Sequence, residues 1–229
     1  MNSLIRSMKI YIKISFNIIL LLFGLSFAAA IVVGSIIDPA KRGSRDYGSM
    51  IGCCGMAHCM LMIIFLNGNL RMTRAKYFSS VPQARTLFTD APIAVMAVVC
   101  LIFDAVLAVA LLVRHETELV SDLLIFNAIN TVIACFFNSL YGKNRSLVYN
   151  IILSVVFILF LNQMTLLKKA SFIKNGFGLS LPVSAAAAAA IYVIGIAAAH
   201  FLMQMWWERS GRNFNNDFNM IVQNTNGNL

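Results

Sequence analysis

Six stretches of this chain, at 14–37, 50–66, 91–113, 119–141, 147–167 and 181–206, are too long and too apolar for a soluble core. A helix of about 20 mostly apolar residues can cross hydrocarbon because it satisfies each backbone N–H and C=O within the segment. The pattern predicts an all-α polytopic membrane protein, a six-helix transmembrane bundle over residues 14–206. The second stretch is the shortest. Composition agrees: 59% of residues are hydrophobic, 12% are charged and the mean hydropathy is +0.79, where ordinary globular domains carry roughly 45–50% apolar and about 25% charged residues. The first stretch exceeds a typical apolar signal core and is expected to be a retained helix rather than a removable signal peptide.

Basic residues in the connections set the expected orientation. With the N-terminus cytoplasmic, the inner segments hold Arg6, Lys9, Lys13, Arg71, Arg74, Lys76, Arg85, Lys143, Arg145, Arg209 and Arg212. The outer ones hold Lys41, Arg42, Arg45, Arg114, Lys168, Lys169 and Lys174. The balance favours both termini inside, and the expected location is a bacterial cytoplasmic membrane. The net charge of +9 then reads as topology and attraction to anionic headgroups. No soluble domain is long enough to present a groove-reading element, so nucleic acid is not an expected partner.

Short connections at 114–118 and 142–146 make the third and fourth, and the fourth and fifth, helices antiparallel neighbours. The alanine run at 185–190 permits close helix approach. Beyond Trp206 the Asn-rich tail, 207–229, is polar, cytoplasmic and too poor in apolar residues to order itself. At the other end Arg6, Lys9 and Lys13 recur at spacings of three and four, while Leu4, Ile5, Met8, Tyr11, Ile12 and Phe16 cover the remainder. That suits an interfacial elbow helix over 1–13, or equally an extension of the first span with snorkelling lysines.

The 67–90 connection is the most basic. Tyr77, Phe78 and Val81 form an apolar patch, and Arg71, Arg74, Lys76 and Arg85 surround it with charge, a combination suited to docking a soluble partner. Pro82 limits any helix through it. The alternative is a basic loop resting on anionic lipid with its aromatics among the headgroups.

An N-terminal elbow, six helices and a short basic loop between the second and third together resemble the small permease subunits of type-two ABC exporters. The local likeness is carried by Arg74-Ala75-Lys76-Tyr77-Phe78-Ser79-Ser80-Val81-Pro82, which is similar to that family's basic–aromatic–Ser–apolar–Pro stretch before its third helix. The resemblance implies that the 70–86 loop forms a coupling helix seated on a separate ATP-hydrolysing subunit. It also implies that the permease pairs with a second copy or a paralogue. The connection at 168–180 is shorter than the extracellular feature of larger relatives, which leaves the substrate class open.

The chain lacks a Gly-x-x-x-x-Gly-Lys-Ser/Thr phosphate loop, so no cofactor is expected on it, and ATP and Mg would belong to the partner. Cys53, Cys54, His58 and Cys59 have metal-ligand chemistry, but ligands from one helix do not close a tetrahedral site, and packing is the expected role. Cys100 and Cys135 sit within apolar spans, where disulfides are not expected. No Ser, His and Asp combination has the context of a hydrolase, so the chain is not expected to be an enzyme.

Asp104 is the sharpest single residue, because an ionised carboxylate in mid-span costs at least about 2.5–3.5 kcal/mol on insertion scales. Compensation is expected from Asn127, Asn130, Asn138, Asn162, Gln163, His58, His200 or Gln204. Asp104, Asn127 and Asn130 are the candidate intramembrane polar or substrate-path residues; a protonated carboxyl bonded between helices is the alternative. Two other functions fit the same sequence. One is a substrate-capture subunit of an energy-coupling vitamin or metal importer, docking through the small residues Gly24, Ala28, Ala30 and Gly34. The other is a non-transporting assembly or immunity protein.

Overall fold

The computed structural model describes residues 3–44, 46–75, 78, 81–141, 147–169 and 175–208. The side chains of Asn67, Arg74, Met164, Lys168 and residues 147–150 are also outside the description. Lys76, Tyr77 and the tail beyond Glu208, each singled out above, lie outside the described residues.

The described chain is all-helical. Its elements are α1 (Ser3–Ser15), α2 (Ile18–Ile37), α3 (Tyr47–Arg74), α4 (Ala84–Phe88), α5 (Asp90–Val113), α6 (Thr117–Leu140), α7 (Leu147–Leu161), α8 (Gln163–Lys169) and α9 (Leu181–Trp206). Five of them, α2, α3, α5, α6 and α9, are long and apolar enough to cross a membrane. Burial sorts these five. The most apolar stretches of α3 and α6 are two-thirds buried and form the centre, whereas those of α2 and α9 are 17% and 11% buried and form the rim. Rim side chains such as Ile19, Val193 and Ile194 point outward, as apolar groups facing lipid do.

The boundaries follow local chemistry. Asn17 breaks α1 from α2, and its side-chain oxygen caps the new helix by accepting from the N–H groups of Ile19 and Leu20 at 3.1 and 3.3 Å. Pro182 occupies the first turn of α9, where its missing N–H is not needed. Two boundaries differ from the sequence expectation. The second span does not end at 66: α3 continues to Arg74, so the first third of the supposed loop is helix. The apolar pattern stops at Asn67, but Gly68 and Asn69 are buried against α1 and α6 and need no apolar side chain there. The fifth stretch breaks at Asn162 into α7 and α8, where the Asn162 amide donates to the Ile158 carbonyl at 2.8 Å. Alone, the 15 residues of α7 rise about 22 Å, short of a roughly 30 Å core.

Close approach explains the rim contacts. A Cβ on Gly24 would meet Ile64 side-chain carbons at 2.7 and 2.9 Å and the Met60 carbonyl at 3.1 Å, so α2 seats on α3 through Gly24, and Ala28 on the same helix is also buried. Across the bundle, a Cβ on Gly195 would run into Val132, the contact by which α9 lies on α6.

Candidate functional site

Three buried polar layers cross the bundle, one at each end and one between. The first end is built on Asp122 of α6, which is fully buried. Its Oδ2 accepts from Arg42 at 2.9 and 3.2 Å and from the Tyr47 hydroxyl; its Oδ1 accepts from the Phe177 N–H at 2.9 Å. One carboxylate thus ties the loops before α3 and before α9 to the top of α6. Burial would lower the Arg42 guanidinium, but the bonds and charge of Asp122 outweigh it and hold Arg42 above its usual value. Beside this clamp, Ser121 donates to the Leu179 carbonyl at 2.8 Å and so accepts from Ser184 at 2.6 Å.

The opposite end is knotted by Asn138 of α6. Its Nδ2 donates to the Pro92 carbonyl at 3.2 Å, its Oδ1 lies 3.2 Å from the Tyr11 hydroxyl, and its backbone carbonyl accepts from the Asn69 amide. Tyr11 also reaches the Phe65 carbonyl at 3.2 Å, and burial pushes its phenol above the usual value. Helices α1, α3, α5 and α6 meet there. Helix α1 buries Ser7, Tyr11 and Ser15 in this contact and leaves Arg6, Lys9, Lys13, Ile5 and Ile12 outside.

The middle layer holds Asp104. His58 of α3 supplies the compensation: its Nε2 is 3.0 Å from Asp104 Oδ1. Asp104 Oδ2 accepts from the Tyr192 hydroxyl and from Thr131 Oγ1 at 3.4 Å. His58 is fixed from both sides, since its Nδ1 is 2.8 Å from the Cys54 carbonyl and Phe103 meets its ring edge-on at 5.2 Å. A carbonyl only accepts, so Nδ1 carries a proton. Nε2 is thus the ring nitrogen turned toward the Asp104 carboxyl. An imidazole 3.0 Å from the carboxyl can offset its charge when protonated, which is the compensation an acid at this depth requires.

Of the residues expected around Asp104, only His58 bonds it. Asn130 instead accepts from Gln163 of α8 at 2.8 Å. Asn127 shares a small internal void with Asp104, and its buried Oδ1 has no partner there. Asn138 belongs to the end knot, and His200 pairs with Asp90 at 2.9 Å. Gln204 donates to the same Asp90 oxygen at 3.1 Å. Thr131 and Tyr192 were not expected. A lone tyrosine in the apolar 181–206 stretch is the signal that could have revealed the second, because a phenol inside hydrocarbon needs a partner. Cys54 contributes its carbonyl rather than its thiol, and all five cysteines are free.

The docking patch is divided. Phe78 and Val81 are half-buried and rest on the bundle's own core. Leu87 and Phe88 of α4 are buried, and the Phe88 ring lies 5.9 Å from that of Trp207. Arg85 is exposed but bonded, with Nε donating to Gln204 Oε1 at 2.6 Å and Nη2 lying 3.4 Å from Glu208. The segment between α3 and α5 is thus fastened to the bundle where α1, α5 and the end of α9 converge. No protein-family model, curated protein or solved structure matches this chain.

Proposed function

We propose that this chain is the permease subunit of an ATP-driven type-two ABC exporter, moved by a separate ATPase that presses on the 70–86 segment. The observation that carries the reading is the course of α3. It runs as one helix from the Asp122 clamp at Tyr47, past His58, to the basic residues Arg71–Arg74. A displacement at the basic end is therefore transmitted along a rigid rod to the buried Asp104 layer. The Asn138 knot and the Phe88–Trp207 contact carry the same displacement into α1, α5, α6 and α9.

The accompanying topology has six crossings, the fifth made of α7 and α8 hinged at Asn162. Broken helices are tolerated at membrane depth where side chains and neighbouring helices re-satisfy the freed backbone groups. Asn162 is itself exposed, but its amide bonds the Ile158 carbonyl, and Gln163 anchors the start of α8 by its bond to Asn130 and its close seat on Gly55. Helix α1 is the interfacial elbow, with Arg6, Lys9 and Lys13 toward headgroups. Both termini are cytoplasmic, in a bacterial cytoplasmic membrane, and two permease copies or paralogues pair over two ATPase subunits. The importer reading has less support, because Gly24 of its docking face is spent on α3 and Ala28 is buried within the bundle.

Co-expression with a partner ATPase tests the proposal. Tyr77→Ala and the pair Arg74→Glu/Lys76→Glu should lower ATPase co-purification and substrate-stimulated hydrolysis while the bundle still inserts. Unchanged recruitment and hydrolysis in both variants would overturn the coupling role. Phe78 and Val81 are poorer probes, since their truncation also removes contacts within the bundle.

A further inference from the structure

Between α5 and α9 a cleft of about 700 Å³ opens along the sparsely covered rim of the bundle, within the usual 300–1,000 Å³ of ligand sites. Its walls are apolar, formed by side chains such as Ile93, Leu101, Val193 and Ile196, and Leu4 of α1 also lines it. Its polar lining residues are Asp90, His200 and Tyr192, and no lysine or arginine lines it among the described residues. Tyr192 connects the cleft to the middle layer: it lines the cleft, while its hydroxyl donates to Asp104 Oδ2 behind it.

From this arrangement the geometry points to a binding site for an amphiphilic organic cation, with Asp104 as counter-ion and Tyr192 as the screen between them. Apolar walls select a lipophilic body. The carboxylates Asp90 and Asp104 are opposed only by imidazoles, so once each pair releases its extra proton to solvent the site carries negative charge and favours positive over negative ligands. If Tyr192 swings aside, Oδ2 keeps only the 3.4 Å contact from Thr131, and an entering cation takes the place of the hydroxyl. The aromatic ring remains available to the cation through its face. This names a substrate class for the permease reading and rests on it for transport, whereas binding requires only this chain.

The test is equilibrium binding of radiolabelled tetraphenylphosphonium to the purified full chain in zwitterionic-lipid nanodiscs, without any ATPase subunit. Tetraphenylsilane serves as the neutral competitor. The wild type should bind saturably and without competition from the silane. Asp104→Asn should weaken binding at least tenfold, and Ala94→Trp, which fills the cleft away from the carboxylate, should do the same. Tyr192→Phe should bind at least as tightly as wild type, because the competing hydroxyl is gone; a tenfold loss there overturns the screening role. Absence of saturable binding, equal competition by the silane, or wild-type affinity in either Asp104→Asn or Ala94→Trp overturns the site. If Asp104→Asn does not fold, Ala94→Trp and the silane decide. Binding without ATP-driven transport would sink the permease reading and leave this one standing.

Discussion

His58 Nε2 faces Asp104 Oδ1 at 3.0 Å across the α3–α5 contact, while His58 Nδ1 is committed to the Cys54 carbonyl. Removing either partner alone leaves the other's buried polar group facing no partner across that contact. His58→Leu leaves the carboxyl with Tyr192 and Thr131 only and should destabilise the bundle strongly, since breaking a buried pair costs about 3–5 kcal/mol. Asp104→Leu should be similarly harmful, whereas His58→Leu/Asp104→Leu should recover much of the loss. Thermal unfolding in detergent for the two singles and the double measures the coupling; additive losses would show that the two groups do not act as a pair.

The Asp122 clamp makes a second prediction at the other end. Gly176 has φ +61°, and a Cβ there would run into Asp122 Oδ2 and the Arg42 side chain. Gly178 has φ +65° but open space around it. Gly178→Ala should therefore show backbone strain alone, about 1 kcal/mol, while Gly176→Ala adds a collision with a buried hydrogen-bonded carboxylate and should cost more, about 2 kcal/mol or above. Protease accessibility of the 38–46 and 175–180 connections should rise only in Gly176→Ala. Equal behaviour of the two variants would count against the clamp.

The division between what the sequence disclosed and what it hid is itself physical. Span positions were legible because apolar length is a local property: Leu181–Trp206 and the third and fourth stretches match α9, α5 and α6 to within two residues. The continuation of α3 through Asn67, Gly68 and Asn69 was hidden, since its warrant is non-local. Ser15 occupies the space over Gly68, and Asn69 finds its acceptors on α6. The same holds for the central site. Asp104 announced itself by its cost and His58 stood among its eight candidate partners, but Thr131 and Tyr192 did not, because only helix placement decides which side chain arrives. The break at Asn162 fell within an apolar run that hydropathy alone reads as continuous.

Orientation is tested directly by thiol labelling in a background without native cysteines. Single cysteines at Ser3, Thr73 and Asn224 should resist a membrane-impermeant reagent in intact cells, and one at Gly43, beside the Arg42–Asp122 clamp, should react. Reaction at Thr73 with protection at Gly43 would invert the bundle.

Arg85 separates an internal role for the basic segment from an external one. Its bonds to Gln204 and Glu208 are largely exposed, with side-chain exposures of 55% for Arg85 and 62% for Glu208. Such pairs contribute about 0–1 kcal/mol, so Arg85→Ala should leave insertion and thermal stability close to wild type. Arg85→Glu adds like-charge contact with Glu208, which restoring the pair as Arg85→Glu/Glu208→Arg should relieve. If the segment acts only within this chain, that swap returns every property to wild type. If it docks an ATPase surface that reads positive charge before α5, the swap restores stability but not recruitment, because charge at a docking rim governs the association rate and its salt dependence. The salt-dependent association rate of the purified partner with wild type, Arg85→Glu and the swap distinguishes the two. Full restoration by the swap would place Arg85 among structural residues and remove it from the docking surface.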